Sequence, residues 1–157
     1  MKNNNAAAKL KKPFFFNLFL WLKLPTCFFW SLKLQELSED SCSVVIPFKR
    51  RTKNPFKSIY FAALAGAAEL STGLIWVNLL GFKAPYSILV KGCQLNFIKK
   101  STTAITFTCS DGPEARHAVQ QLQQSGDIVE LNMTAIGKNK DGITVAEMVF
   151  NWSVKRK

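Results

Sequence analysis

The feature that most constrains this chain is a stretch of 25 residues, 58–82, that contains a single charged side chain, Glu69. A stretch of this length and hydropathy could cross a bilayer as one helix. However, it is rich in alanine and glycine, a carboxylate is costly in mid-bilayer, and well-patterned strands follow it. We therefore predict a long central helix, apolar on all sides and buried inside a globular domain.

Glu69 shares one stripe of this helix mainly with small residues. The stripe consists of Ala62, Ala65, Gly66, Glu69, Thr72, Gly73 and Trp76. The small side chains leave room for a ligand or for the close approach of another backbone, and Glu69 could simply make a structural hydrogen bond. Alternatively, burial raises the pKa of a carboxyl group and suits it to general-base chemistry. Both interpretations remain open from the residues alone.

The remaining pattern predicts an α+β domain. One strand is expected before the helix, at 41–48, and four mostly antiparallel strands after it, at 86–97, 102–109, 127–136 and 143–154. Asp141-Gly142 forms a strong hairpin signal between the last two strands. A short amphipathic helix is expected at 113–124.

Residues 1–34 differ from the rest, since a basic start is followed by an apolar run that breaks at Lys23 and Pro25. The run is too short to span a bilayer. It predicts two short amphipathic helices, which either pack on the domain or make peripheral contact with a membrane surface. We therefore divide the chain into an amino-terminal helical segment, 1–34, which we expect to pack on the domain, and a single domain, 35–157.

The net charge is +11, and the sequence pI is about 9.7, which favours anionic partners. No RNA-binding aromatic motif accompanies this charge, so nucleic acid is not expected as a partner. The lone histidine, His117, excludes a two-histidine metal site within one chain, and no metal is expected. The four cysteines form no CxxC motif and no signal-peptide cleavage site is visible, so we expect a cytoplasmic protein with reduced thiols.

Three strings of residues are similar to those of a known protein family. They are NPFKSIYFAALAGAAELSTG at 54–73, FTCSDG at 107–112 and FNWSVK at 150–155. They resemble a bacterial hotdog-fold family of uncharacterised function, placed in the thioesterase superfamily, and the resemblance covers residues 16–155. It implies the α+β hotdog fold, in which a curved antiparallel sheet wraps one long helix. It also implies a homodimer, or a tetramer, with sites at the interface.

The resemblance also implies an activity, the hydrolysis of acyl-coenzyme A thioesters. Related enzymes place an amide residue before the helix, a His-Gly-Gly motif at its start and an acid two turns further in. Asn54 matches the amide, and Glu69 matches the acid that acts as general base or nucleophile. The backbone N–H of Phe61 matches the oxyanion donor, although Tyr-Phe-Ala replaces His-Gly-Gly at 60–62. Ser87 matches a residue that orients water from the neighbouring protomer.

Basic residues near the predicted site are candidates for the coenzyme A phosphates. Arg50, Arg51 and Lys53 directly precede Asn54, and Lys99 and Lys100 follow a predicted strand. Coenzyme A would be part of the substrate, and no other cofactor is expected. Because the His-Gly-Gly motif is replaced, the alternative is a non-catalytic hotdog protein that binds acyl-CoA or a fatty acyl ligand.

Overall fold

The computed structural model of the chain describes residues 8–82 and 85–157. The elements, in chain order, are α1 (Pro13–Lys23), α2 (Pro25–Phe29), β1 (Lys33–Leu37), β2 (Cys42–Ile46), a 3-10 turn (Arg50–Thr52), α3 (Phe61–Leu80), β3 (Tyr86–Phe97), β4 (Ile105–Cys109), α4 (Gly112–Gln120), β5 (Ile128–Asn139) and β6 (Thr144–Arg156). The predicted α+β class is confirmed, and each of the five predicted strands is present.

The strands form one antiparallel sheet in the order β1-β2-β4-β5-β6-β3. Helix α3 packs on one face of this sheet, chiefly against β2, β4 and β5. This arrangement of one long helix on an antiparallel sheet confirms the predicted hotdog architecture. The β5–β6 hairpin turns at Gly142, whose φ of 76° lies in the left-handed region that glycine adopts without strain.

Helix α3 is buried along most of its length, with Ala63, Ala67 and Leu74 almost fully enclosed. It ends at Leu80, because Gly81 adopts a φ of 73° and the chain leaves the helical path there. By length and hydropathy alone the helix would suit a membrane span. Its burial against the sheet agrees with the predicted central helix of a globular domain.

Residues 13–29 of the amino-terminal segment form the helices α1 and α2. The break falls at Leu24, because Pro25 has no N–H to continue the first helix and restricts the residue before it. Phe16 and Leu20, one turn apart on α1, are buried, and so is Cys27 on α2. Both helices therefore pack on the domain.

Strand β1 was not predicted. Among the described residues it is an edge strand that pairs only with β2, and a register shift interrupts the pairing. Only Leu37 of its five residues is buried, so its sequence lacks the alternation that marks a strand. β1 extends across residue 34, where we placed the limit of the amino-terminal segment, and the division into 1–34 and 35–157 stays a prediction.

Strands β4 and β5 approach each other closely where Phe107 pairs with Gly137. The phenyl ring is fully buried and lies over the glycine. A Cβ atom at position 137 would lie 2.6 Å from Cε1 of Phe107. Since buried side chains tolerate little added volume, this position requires glycine for steric reasons.

We predict that Gly137→Ala lowers the free energy of unfolding by about 1–3 kcal/mol through overpacking. In a domain of this size that corresponds to a loss in Tm of about 2–4 °C per kcal/mol. Thermal unfolding followed by circular dichroism measures it. Gly92→Ala, on β3, is the matched control because open space surrounds its added methyl group. Equal Tm values for the two variants would contradict the packing argument.

Candidate functional site

Glu69 lies near the middle of α3 and is half-buried. A Cβ atom on Gly66 would lie 2.8 Å from Cζ3 of Trp30, and one on Gly73 would lie 3.4 Å from Cη2 of Trp152. These glycines stand about one turn before and one turn after Glu69. The indole rings therefore fill the space that the two glycines of the small-residue stripe leave, one turn before and one turn after Glu69.

The carboxylate of Glu69 accepts no hydrogen bond from residues 8–82 or 85–157. Its backbone carbonyl instead accepts one from Oγ1 of Thr72 (2.8 Å), and that hydroxyl accepts one from Nε1 of Trp152 (3.0 Å). This chain of bonds fixes the Trp152 ring beside the carboxylate. The side chain keeps partial exposure, so the carboxylate is not sealed inside the protein.

Desolvation raises the pKa of Glu69 above its ordinary value. On the neighbouring helix α2, the pKa of the Cys27 thiol is raised to about 11, chiefly by burial and further by the negative charge of Glu69. Both raised pKa values have the same cause, since the surroundings of the two groups disfavour a negative charge. A carboxylate in such surroundings is a stronger base than one in water.

A second candidate location is a cavity of about 550 Å³ at the start of α3. Four predicted site residues line it, namely Asn54, Phe61, Lys99 and Lys100. The other lining residues are Pro55, Phe56, Ser58, Ile59, Tyr60, Leu64, Phe97, Ile98 and Ser101. The wall is therefore mostly apolar and aromatic, with two lysines. The backbone N–H of Ile59 donates to the carbonyl of Ser101 (2.9 Å) and ties the two segments together.

The side chain of Asn54 is oriented by hydrogen bonds within the turn formed by residues 54–58. Its Oδ1 accepts hydrogen bonds from the backbone N–H groups of Phe56 (3.0 Å) and Ser58 (3.1 Å) and from Oγ of Ser58 (3.2 Å). These contacts fix the amide plane and occupy its oxygen. No acceptor in the described part of the chain takes the Nδ2 hydrogens, so Asn54 offers a donor, and not an acceptor, to a ligand.

The start of α3 carries free backbone donors. Tyr60 occupies the N-cap position without a side-chain hydrogen bond. Within the described chain, the N–H groups of Phe61 and Ala62 have no acceptor, whereas that of Ala63 donates to the carbonyl of Tyr60. The predicted oxyanion donor at Phe61 is therefore unpaired. The Phe61 side chain is exposed and packs edge-on against Tyr60, with ring centroids 5.0 Å apart.

Glu69 does not line this cavity. It follows Phe61 by eight residues, which corresponds to about 12 Å along a helix axis. Ser87 is exposed on β3, an edge strand, and lines neither location. One chain thus brings Asn54, Phe61 and the lysines together but leaves Glu69 and Ser87 apart from them.

The loop that contains Arg50, Arg51 and Lys53 contacts the amino-terminal segment through Arg51. Nη1 of Arg51 donates to the carbonyl of Phe29 (3.0 Å), and the guanidinium lies 5.4 Å from the Phe29 ring centroid. Nζ of Lys53 lies 4.2 Å from the Phe48 ring centroid. Arg50 lines a shallow depression with Phe29. The assignment of Arg50, Arg51 and Lys53 to coenzyme A phosphates stays a prediction.

Sequence reasoning did not identify Trp30 and Trp152 as neighbours of Glu69. One signal for Trp152 was present, because a buried indole N–H requires an acceptor and Thr72 supplies a hydroxyl on the stripe. Trp30 left no such signal. In residues 8–82 and 85–157, no group of three or more His, Cys, Asp or Glu side chains could hold a metal ion.

Comparison with known proteins identifies one matching family. The model of a domain of unknown function, DUF4442, matches residues 15–154. None of the curated proteins compared matches the chain.

Solved structures share the fold at low sequence identity. A protein of unknown function from Pseudomonas aeruginosa, described as a probable thioesterase, is 19% identical with a TM-score of 0.79, covering 93% of this chain and 97% of its own. A thioesterase from Haemophilus influenzae is 12% identical with a TM-score of 0.69, covering 92% and 91%. A thioesterase from Staphylococcus aureus is 15% identical with a TM-score of 0.64, covering 80% and 94%. At these identities the similarity establishes the hotdog fold.

We predict that Glu69→Gln stabilises the protein in a pH-dependent manner. A raised pKa means that the folded state holds the proton more tightly than the unfolded chain does. The wild-type protein therefore loses stability as the pH rises from the ordinary value of 4.5 through the folded pKa, whereas the neutral amide does not. Near pH 7 the variant should therefore have a higher Tm than the wild type, and near pH 4 the difference should vanish.

The measurement is Tm against pH, with Glu147→Gln as control because Glu147 is exposed on β6. Two results would show that the folded protein does not disfavour the charge of Glu69. One is a difference in Tm between Glu69→Gln and the wild type that stays constant between about pH 4 and 8, and the other is a lower Tm for the variant at neutral pH.

Proposed function

The chain belongs to the DUF4442 family, and we propose that it is a thioester hydrolase whose substrates are acyl-coenzyme A molecules. The observation that carries the proposal is the half-buried carboxylate of Glu69, which has no hydrogen-bond partner in the described part of the chain. It lies on a helix whose first two N–H groups also lack an acceptor there. A general base and an oxyanion donor are the two groups that hydrolysis of a thioester needs most.

In the proposed reaction Glu69 takes a proton from a water molecule, whose oxygen bonds to the thioester carbonyl carbon. The carbonyl oxygen becomes an oxyanion, which the N–H of Phe61 stabilises. The carbon–sulfur bond then breaks, and the thiolate leaves and takes up a proton. Direct attack by the carboxylate, followed by hydrolysis of the resulting anhydride, uses the same groups. The raised pKa of Glu69 supports the role of base.

Two chains are needed to bring these groups to one thioester. Phe61 and Glu69 of a single helix are about 12 Å apart along the axis, whereas reacting atoms must approach within about 3–3.5 Å. A two-fold axis that sets two α3 helices antiparallel would place Glu69 of one copy beside Phe61 of the other. Strand β3, twelve residues long, pairs only with β6 in the described chain and leaves its other edge open for a second copy. We therefore propose a homodimer.

The cavity at the start of α3 suits an acyl thioester. Its apolar wall would take the acyl group or the pantetheine arm, and Lys99 and Lys100 would meet phosphate groups. Neither lysine forms an ion pair in the described chain, so both charges are available. Arg50, Arg51 and Lys53 remain candidates for the outer phosphates, and Ser87 for orienting water from the second copy.

One feature of the relatives supports the pairing of Asn54 with Glu69. The Staphylococcus aureus thioesterase was solved with a glutamine and, separately, a glutamate replaced by alanine, fifteen positions apart. In this chain fifteen positions also separate the amide of Asn54 from the acid of Glu69.

The alternative function is binding without hydrolysis. It is favoured by the bulky Tyr60 and Phe61 at the helix start, which line the cavity at the positions where the His-Gly-Gly motif has its histidine and first glycine. In that case acyl-CoA or a fatty acyl ligand would bind, and the carboxylate of Glu69 would take no part in chemistry.

We predict that Glu69→Gln lowers kcat on acyl-CoA by about 10²–10⁴-fold, as expected for loss of a general base. Release of free thiol from short, long and aromatic acyl-CoAs measures it, with Glu147→Gln as control. Asn54→Asp keeps the acceptor that holds the 54–58 turn, but it removes the Nδ2 donor and adds a negative charge, so it should lower kcat about 10–100-fold.

Mixing the Glu69→Gln and Asn54→Asp variants, each of which has reduced activity, tests the shared site. Dimers that combine one Glu69→Gln chain with one Asn54→Asp chain contain one intact site, so random mixing should restore about one quarter of wild-type activity. Light scattering should show a dimer at micromolar concentration. No turnover of any acyl-CoA by the wild type, with binding unchanged by Glu69→Gln, would instead establish the non-catalytic alternative.

We predict that replacing Lys99 and Lys100 by alanine raises KM for acyl-CoA about tenfold or more. Each substitution removes a charged hydrogen bond that the lysine would donate to a phosphate. KM for the same acyl group on N-acetylcysteamine, which lacks phosphates, should not change. The control replaces Lys138 and Lys140, which lie at the β5–β6 hairpin. An equal rise in KM for both substrates would assign the two lysines to the cavity structure and not to phosphate binding.

A further inference from the structure

Helix α1 is apolar on two opposite faces. Phe16 and Leu20 face the protein and are buried. The other apolar side chains are exposed, and they include Trp21 at 59% and Leu22 at 60%. The full exposed set on this helix is Phe14, Phe15, Leu18, Trp21 and Leu22.

The exposed set forms one continuous stripe. Phe14, Leu18 and Trp21 follow the i, i+4, i+7 spacing, and Phe15 and Leu22 lie seven residues apart beside them, so all five occupy one side of the helix. No charged residue lies within this stripe. On α2, Phe28 and Phe29 are also exposed, at 43% and 57%. Ordinary soluble surfaces scatter such side chains singly, and a contiguous patch indicates an interaction site.

Cations lie beside the exposed Phe28, in a cavity between α1, α2 and β1 that none of the five stripe residues lines. Lys11, Lys33 and Lys49 line a cavity of about 590 Å³ together with Pro13, Phe16 and Phe28. The three lysines are distant in sequence and no acidic side chain lines the cavity. The ion pairs found in the described chain, Lys91–Glu130 and Arg116–Asp40, involve none of them. Arg51 also lines the cavity, but its guanidinium is already bound to Phe29.

We propose that α1 and α2 form a docking surface for a lipid bilayer that contains anionic lipids. The exposed stripe enters the boundary between headgroups and acyl chains while α1 lies parallel to the membrane, since its eleven residues are too short to cross. Lys11, Lys33 and Lys49 contact the anionic headgroups. This proposal does not depend on the thioesterase activity.

Charge and composition favour a bilayer over other occupants of this surface. If a second copy of the chain docked on this surface, its lysines would face Lys11, Lys33 and Lys49 of the first copy, and the like charges would repel each other. A nucleic acid would meet the lysines but leave an exposed face of Phe, Leu and Trp side chains without a partner. An anionic bilayer satisfies both, because it combines an apolar interior with a negative surface.

The test is co-sedimentation of the full chain with vesicles of pure phosphatidylcholine and of phosphatidylcholine with 30% phosphatidylserine. We expect binding to the anionic vesicles at 0.1 M salt, weaker binding at 0.5 M salt, and a blue shift of tryptophan emission that Trp21→Phe abolishes. Leu22→Ser should weaken binding several-fold. Its control is Ile128→Ser, because Ile128 has a similar exposed fraction (56%) on β5.

The electrostatic contribution is tested with Lys33→Gln and Lys49→Gln, each expected to weaken binding to anionic vesicles about fivefold. Lys138→Gln and Lys140→Gln are the matched controls. Three results would overturn the proposal. The first is that the protein does not bind anionic vesicles at 0.1 M salt. The second is that Leu22→Ser converts a dimer to a monomer and no vesicle binding is seen. The third is that an RNA oligonucleotide binds in a manner that depends on Lys33 and Lys49 while vesicles do not bind.

Discussion

The structure depends on the burial of one helix that is apolar all round yet contains a carboxylate. The sheet covers Ala63, Ala67 and Leu74 on its inner side, and Trp30 and Trp152 cover the glycines on either side of Glu69. Withdrawing a carboxylate from water without a hydrogen-bond partner is unfavourable, and most buried acids are paired. Glu69 is held in that state by its neighbours, because Thr72 engages both its backbone carbonyl and the indole of Trp152.

The elements predicted correctly from the sequence are those with a strong internal pattern. Residues 86–97 were predicted as a strand and form β3 with the same limits, and the hairpin at Asp141-Gly142 is present because this pair suits a tight turn. The break at Pro25 followed from proline chemistry alone. β1 was missed because Leu37 is its only fully buried residue, so its existence is decided by pairing with β2 and not by its own side chains.

The candidate site was predicted in part. The sequence selected Glu69, and it placed Asn54, Phe61, Lys99 and Lys100 together although they come from two distant segments. It did not predict that Arg51 faces Phe29, because the orientation of a long flexible side chain depends on tertiary contacts that leave no local pattern. Nor could it show that Oδ1 of Asn54 is occupied by its own turn, which leaves the amide as a donor.

The amino-terminal segment connects the surface of the protein to the buried carboxylate. Within α2, Cys27 faces inward, and the charge of Glu69 contributes to its raised pKa, whereas Phe28 and Phe29 face outward. Trp30, directly after α2, packs on Gly66 one turn from Glu69, and Arg51 fastens the end of α2 to the domain. Any movement of α2 therefore changes both the desolvation of Glu69 and the space beside it. A segment with these contacts is part of the environment of Glu69, and it adds to the burial that raises the pKa of this carboxylate.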